Sequence, residues 1–179
     1  MNQTLRYSLI YGGLSAAVLT AFIAVVATLH EKVQFVATLA FGYSVMLVAM
    51  SFVFVGVKRY RDVEGGGVIR FGRALGLGLL IALIACIAYV LIWEAYLAIT
   101  HYRFMDDYIA KMLRDARASG KSAAQIAKMT AEFDGMREMY ANPLIRMPMT
   151  FMEVGPIGLL VAIVSAALLR NPRLFPARG

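Results

Sequence analysis

The chain has 179 residues, of which 60% are hydrophobic and only 16% charged, with a formal net charge of +7 and a mean hydropathy of +0.69. That balance excludes an ordinary water-soluble domain. The charge is explained by membrane topology rather than by nucleic acid, since no helix-turn-helix or RNA-binding signature accompanies it. The single cysteine excludes an intramolecular disulfide or a cysteine-rich metal framework.

Four segments are nearly free of charge and predict membrane-spanning helices: 7–29, 33–57, 74–100 and 147–169. A span needs about 20 apolar residues, because about 30 Å of hydrocarbon is crossed at about 1.5 Å per residue. β-Barrel alternation is missing, so the expected fold is all-α, an integral membrane four-helix bundle forming a single domain over 1–179. The first apolar run is too long for a signal h-region and has no clean small-residue cleavage site, so it is expected to be a retained span.

The turn after the first span, His30-Glu31-Lys32, carries little charge. Lys58, Arg59, Arg61, Arg70 and Arg73 crowd the expected loop 58–73 between the second and third spans. Arg170, Arg173 and Arg178 follow the fourth span, and Arg6 precedes the first. By the positive-inside rule both termini are expected in the cytoplasm. The five loop cations also form a candidate contact surface for anionic lipid headgroups, a reading compatible with topology. A Walker loop is excluded there, because the glycine run Gly65-Gly66-Gly67 is not followed by Lys-Ser or Lys-Thr. Gly72-x-x-x-Gly76, with Gly78, offers a small surface for close helix approach.

The third span contains Cys86, which reads as a packing residue, and Glu94. Beyond it, residues 101–146 turn amphipathic, with eight basic and six acidic side chains, and are expected on the outer side as a helical hairpin. One stripe runs through Tyr102, Met105, Ile109, Met112 and Ala116, and a second through Ile126, Met129, Phe133, Met136 and Tyr140. Ser119-Gly120 separates them, Ser122 with Gln125 fits a capping box, and Asn142-Pro143 closes the second helix. Eight of the eleven methionines lie between Met105 and Met152. Most fall on these seams, where a flexible thioether packs irregular gaps, so copper binding is not required.

Glu94 and Glu153, the latter in the fourth span, are the strongest clue to function, because a carboxylate in hydrocarbon marks a site by default. Each lies about 9 to 11 Å inside the outer boundary of its span at the helical rise. Thr28, His30, Thr38, Tyr96, Thr100 and His101 share that layer, so Glu94, Glu153, His30, His101 and Tyr96 define a candidate intramembrane polar site. Arg146 lies seven residues before Glu153 and His101 seven after Glu94. Pairing within one helix is disfavoured at that spacing, whereas pairing across helices is open.

Three roles follow for the layer: structural hydrogen bonding between helices, a proton or cation path in a small transporter or channel, and metal-assisted or general-acid chemistry. The third is the weakest, since no helix carries Glu-x-x-His or His-Glu-x-x-His spacing. The expectation is therefore a non-enzymatic envelope protein without metal or cofactor, acting through self-association or partner binding, with the bilayer as its surroundings and a homo-oligomer as its form. The transporter using Glu94 and Glu153 is the alternative.

The sequence also resembles the bacterial membrane family catalogued as domain of unknown function 4199. The matching stretches are Gly42-Tyr43-Ser44 through Gly56-Val57-Lys58-Arg59-Tyr60-Arg61-Asp62, Gly66-Gly67-Val68-Ile69-Arg70-Phe71-Gly72, Trp93-Glu94, and Asn142-Pro143-Leu144 through Glu153-Val154-Gly155-Pro156-Ile157-Gly158. The resemblance implies a small inner-membrane protein of four helices and carries no activity or cofactor with it. Glu94 and Glu153 fall inside its motifs.

Overall fold

A computed structural model describes residues 2–29 and 38–176. Among these the structure is entirely helical: α1 (Gln3–Leu29), α2 (Leu39–Glu64), α3 (Phe71–Ile99), α4 (Phe104–Ala118), α5 (Ala123–Ala141) and α6 (Pro143–Leu169). Helices α1, α2, α3 and α6 are long and apolar enough to cross a membrane. Only 28 to 44% of the residues in their most apolar windows are buried within the chain. Side chains such as Val48, Leu91 and Leu160 are more than half exposed. Apolar surface on that scale has no stable place in water, which supports a membrane protein.

Each long helix extends past one of its expected ends, although α2 begins at Leu39 where the span was expected from 33, residues 33–37 lying outside the described ones. α2 continues through the cationic stretch to Glu64, so the expected loop 58–73 contracts to residues 65–70. The extension is stabilised by local charge pairing, because Lys58 Nζ lies 2.5 Å from Asp62 Oδ2 one turn on. α6 begins at Pro143 rather than at 147. Proline suits a first helical position, where its missing N–H would be unpaired anyway, and Asn142 Oδ1 accepts from the Leu144 amide at 3.0 Å.

The chain divides into two compact units, Met1–Leu91 with Phe151–Gly179, and Ile92–Thr150. The core of the first is built from α1, α2, the first two-thirds of α3 and most of α6. Leu19, Met50, Val53, Ile81, Ala85, Val154 and Ala166 are fully buried there. Without water to drive apolar surfaces together, spans associate by close packing and hydrogen bonding. Both are visible here. A Cβ placed on Gly56 would lie 2.7 Å from Ile81 Cδ1 and 2.8 Å from Tyr11 Cγ, while Ser15 Oγ donates to the Ala49 carbonyl at 2.8 Å. The expected contact surface at Gly72 and Gly76 is not used, since a Cβ placed on either would meet no atom within 4 Å among the described residues, whereas Gly78 packs on Ala162.

The second unit holds the last turns of α3, all of α4 and α5, and the first turns of α6. α3 ends because His101 and Tyr102 both take left-handed backbone angles, φ 54° and 56°, with the Tyr102 amide donating back to the Leu97 carbonyl at 2.7 Å. α4 and α5 pack on each other in opposite directions, as Arg137 Nε near the end of α5 reaches Asp106 Oδ1 near the start of α4 at 2.8 Å. The expected capping box is present: the Gln125 amide donates to Ser122 Oγ and the Ser122 amide to Gln125 Oε1. Ile109 and Ala116 of the first stripe are buried, while α5 has no buried residue at all.

Candidate functional site

Glu94 stands near the end of α3 and Arg146 in the first turn of α6, within the same unit. Their side chains meet as a two-pronged ion pair. Arg146 Nε donates to Glu94 Oε1 at 2.7 Å and Nη2 to Oε2 at 2.6 Å. The planar guanidinium matches a carboxylate edge to edge, which gives such pairs both strength and a fixed orientation. Nη1 of Arg146 donates to the Tyr140 carbonyl at 2.7 Å and to the Ala141 carbonyl at 3.4 Å. Those carbonyls belong to the last turn of α5, which has no helical amides left to satisfy them.

Aromatic rings complete the enclosure. The Arg146 guanidinium carbon lies 5.1 Å from the Tyr102 ring centre and 5.6 Å from that of Tyr140, within the range of cation–π attraction. Trp93 Nε1 donates to the Tyr140 hydroxyl at 2.9 Å, and the Phe104 ring stands edge-on to Trp93 at 4.9 Å. Arg146 is consequently almost fully buried, its side chain 4% exposed against 18% for that of Glu94. A buried charge is tolerated only when it is paired and hydrogen-bonded, and both conditions hold here.

The other expected members of the polar layer lie elsewhere. Glu153 belongs to the first unit, where its side chain is exposed on α6 beside Met152, Pro156 and Leu160 and makes no hydrogen bond or ion pair among the described residues. Tyr96 stacks at a tilt against Trp93, 5.3 Å between ring centres, and takes no part in the ion pair. His101 is exposed, and what it contributes is the left-handed reversal at the end of α3, a conformation histidine enters more readily than most residues. His30 lies outside the described residues. No group of three or more metal-ligating side chains occurs among the described residues.

Arg146, Tyr102 and Tyr140 were not singled out with Glu94 from the sequence. Arg146 did carry a signal, as a lone cation inside the apolar run that follows Asn142-Pro143. What identifies it as the partner of Glu94 is the chain reversal through α4 and α5.

The loop cations separate by environment. Arg61 is fully buried, with Nε 2.7 Å from Asp62 Oδ1, Nη1 3.2 Å from the Leu174 carbonyl and Nη2 2.5 Å from that of Phe175. It therefore ties the segment after α6 to α2 and is withdrawn from the expected headgroup surface. Lys58 is engaged by Asp62. Arg59, Arg70 and Arg73 remain exposed, Arg73 also bonding to the Tyr60 hydroxyl.

Among curated proteins and among solved structures, nothing matches the chain. A family model does, over residues 6–171, and that range contains Glu94, Arg146, Glu153 and the whole α2–α3 reversal. The chain belongs to the family described as Protein of unknown function (DUF4199).

Proposed function

We propose that the protein is a non-enzymatic envelope component of the bacterial inner membrane that acts through self-association or partner binding. In this reading the four spans form an anchoring bundle, both termini face the cytoplasm, and α4 with α5 form a hairpin on the outer side. The Glu94–Arg146 pair carries the proposal. Its guanidinium is occupied by a carboxylate, two carbonyls and two rings, an arrangement that favours joining α3, α5 and α6 over passing protons. The clasp holds the base of a hairpin whose second helix is uncovered, with Met139 half exposed and Tyr108 44% exposed on the facing helix. These side chains are available to a second copy or to another protein.

Cysteine cross-linking in native membranes tests the reading. With Cys86 replaced by alanine, single cysteines at Met139 or Tyr108 are expected to give discrete cross-linked species, and cysteines at lipid-facing Leu160 are not. Uniformly monomeric protein at every α4 and α5 position would remove the proposal. The transporter reading retains one supporting observation, the Glu153 carboxylate on an apolar span, unpaired among the described residues. It requires that Glu153→Gln abolish proton or cation flux in proteoliposomes while assembly persists.

A further inference from the structure

The reversal between α2 and α3 forms a half-open pocket of about 390 Å³, lined by Tyr60, Glu64, Gly65, Val68, Ile69, Arg70 and Arg73. That volume lies within the range of small-molecule sites. Its shape comes from the glycine run. The Gly65 and Gly67 amides both donate to the Arg61 carbonyl, and Gly66 and Gly67 take φ 59° and 88°, so the chain turns tightly above the end of α2. Gly65 itself admits no side chain, since a Cβ there would collide with the Val68 carbonyl oxygen.

The polar groups around the cavity are arranged for more than topology. Of the five loop cations, Arg61 and Lys58 are consumed elsewhere and Arg59 is not part of the lining. Arg73 is oriented by the buried Tyr60, bonded to its hydroxyl with the guanidinium carbon 5.4 Å from the ring centre. Arg70 is exposed and has no side-chain partner among the described residues. Opposite charge is supplied by Glu64, whose Oε1 accepts from the Tyr7 hydroxyl at 3.2 Å. The remaining wall is apolar, formed by Val68, which is 60% exposed, and Ile69.

Two guanidiniums, one carboxylate and an apolar rim, set where two candidate spans end, match a particular ligand. A phosphodiester carries a single negative charge that two arginines can share. A free phosphate dianion would meet repulsion from Glu64. The carboxylate has a use if the arm beyond the phosphodiester presents a donor, whether an ammonium or a hydroxyl. The apolar rim has a use if acyl chains follow. We propose that this cavity is a phospholipid headgroup site, with Arg70 and Arg73 on the phosphodiester and Glu64 on an N–H or O–H donor of the headgroup. The site is independent of the hairpin and of the Glu94–Arg146 clasp.

Native mass spectrometry of the full chain, released from detergent with defined lipids added, tests the site. The probes are phosphatidylethanolamine, phosphatidylglycerol and phosphatidylcholine, the last lacking a donor on its quaternary ammonium. One tightly held phosphatidylethanolamine or phosphatidylglycerol is expected, with phosphatidylcholine weaker. Arg70→Gln, which breaks no side-chain hydrogen bond or ion pair among the described residues, is expected to lower affinity about tenfold by removing a charge-assisted hydrogen bond. Arg59→Gln is expected to leave it unchanged. Glu64→Gln is expected to weaken phosphatidylethanolamine more than phosphatidylglycerol, since an amide still accepts from a hydroxyl but no longer balances an ammonium. Equal losses in the Arg59 and Arg70 variants would reduce the effect to general surface charge and overturn the site. Equal binding of phosphatidylcholine would overturn the role of Glu64. Binding of soluble glycerophosphoethanolamine as tight as that of the lipid would overturn the lipid assignment in favour of a soluble phosphodiester.

Discussion

Removing one member of the Glu94–Arg146 pair tests whether it is a structural clasp, and the structure sets the expected size of the effect. Glu94→Gln keeps the side-chain shape but leaves the Arg146 charge, only 4% exposed, without a counter-ion. Breaking a buried pair from one side costs about 3–5 kcal/mol, because the surviving charge has lost both its partner and its water. Arg146→Met strands Glu94 instead and releases the Tyr140 and Ala141 carbonyls, so its cost falls in the same range. The double variant leaves no unpaired charge. Its cost is therefore expected to fall short of the sum of the single costs by about 2–3 kcal/mol, the size of coupling seen between contacting residues. Trp93 is the sole tryptophan and is hydrogen-bonded to Tyr140 within the cluster, so its fluorescence during thermal unfolding in detergent reports directly on the clasp. Each single variant is expected to lower the midpoint by on the order of 10 °C. Single costs that simply add in the double variant, or an unmoved Trp93 transition in Glu94→Gln, would refute the reasoning.

The remaining predictions concern other parts of the fold. Gly65→Ala is expected to destabilise by about 1–3 kcal/mol, since the new methyl meets backbone oxygens of Val68 and Arg61 that cannot yield, whereas Gly76→Ala, in open space on α3, is expected to be neutral or slightly stabilising. Paired melting curves distinguish the two. Arg61→Gln is expected to free Leu174 and Phe175, because their carbonyls lose a buried guanidinium; limited proteolysis near Arg173 should accelerate severalfold, and unchanged cleavage would count against the contact. Ser122→Ala removes half of the capping box and is expected to cost about 1 kcal/mol, read as faster amide exchange confined to the first turn of α5.

Much of this fold is legible from local pattern. Four apolar runs predict four long helices, and Ser122 with Gln125 predicts where α5 begins; each depends on residues within a few positions of one another. The ends of the spans are less legible. Lys58, Arg61 and Asp62 read as a loop by charge, yet they sit inside α2 because Asp62 pairs with both cations and the Arg61 guanidinium reaches carbonyls more than a hundred residues away. Gly72 and Gly76 carry a close-approach spacing that the structure leaves open, while Gly56, without that spacing, meets Ile81 and Tyr11 closely. Spacing along one helix says nothing of which face another helix will cover.

The same division holds for the carboxylates. Sequence by itself determined that Glu94 and Glu153 are anomalous, because the cost of a charge in an apolar helix depends only on the residues around it. It treated them as equals. Tertiary structure alone decided their difference: Glu94 meets Arg146, 52 residues away, through the turn of α4 and α5, while Glu153 stays exposed and unpaired among the described residues. Whether a charge is neutralised depends on which helix is packed against it, and that is a property of the folded chain.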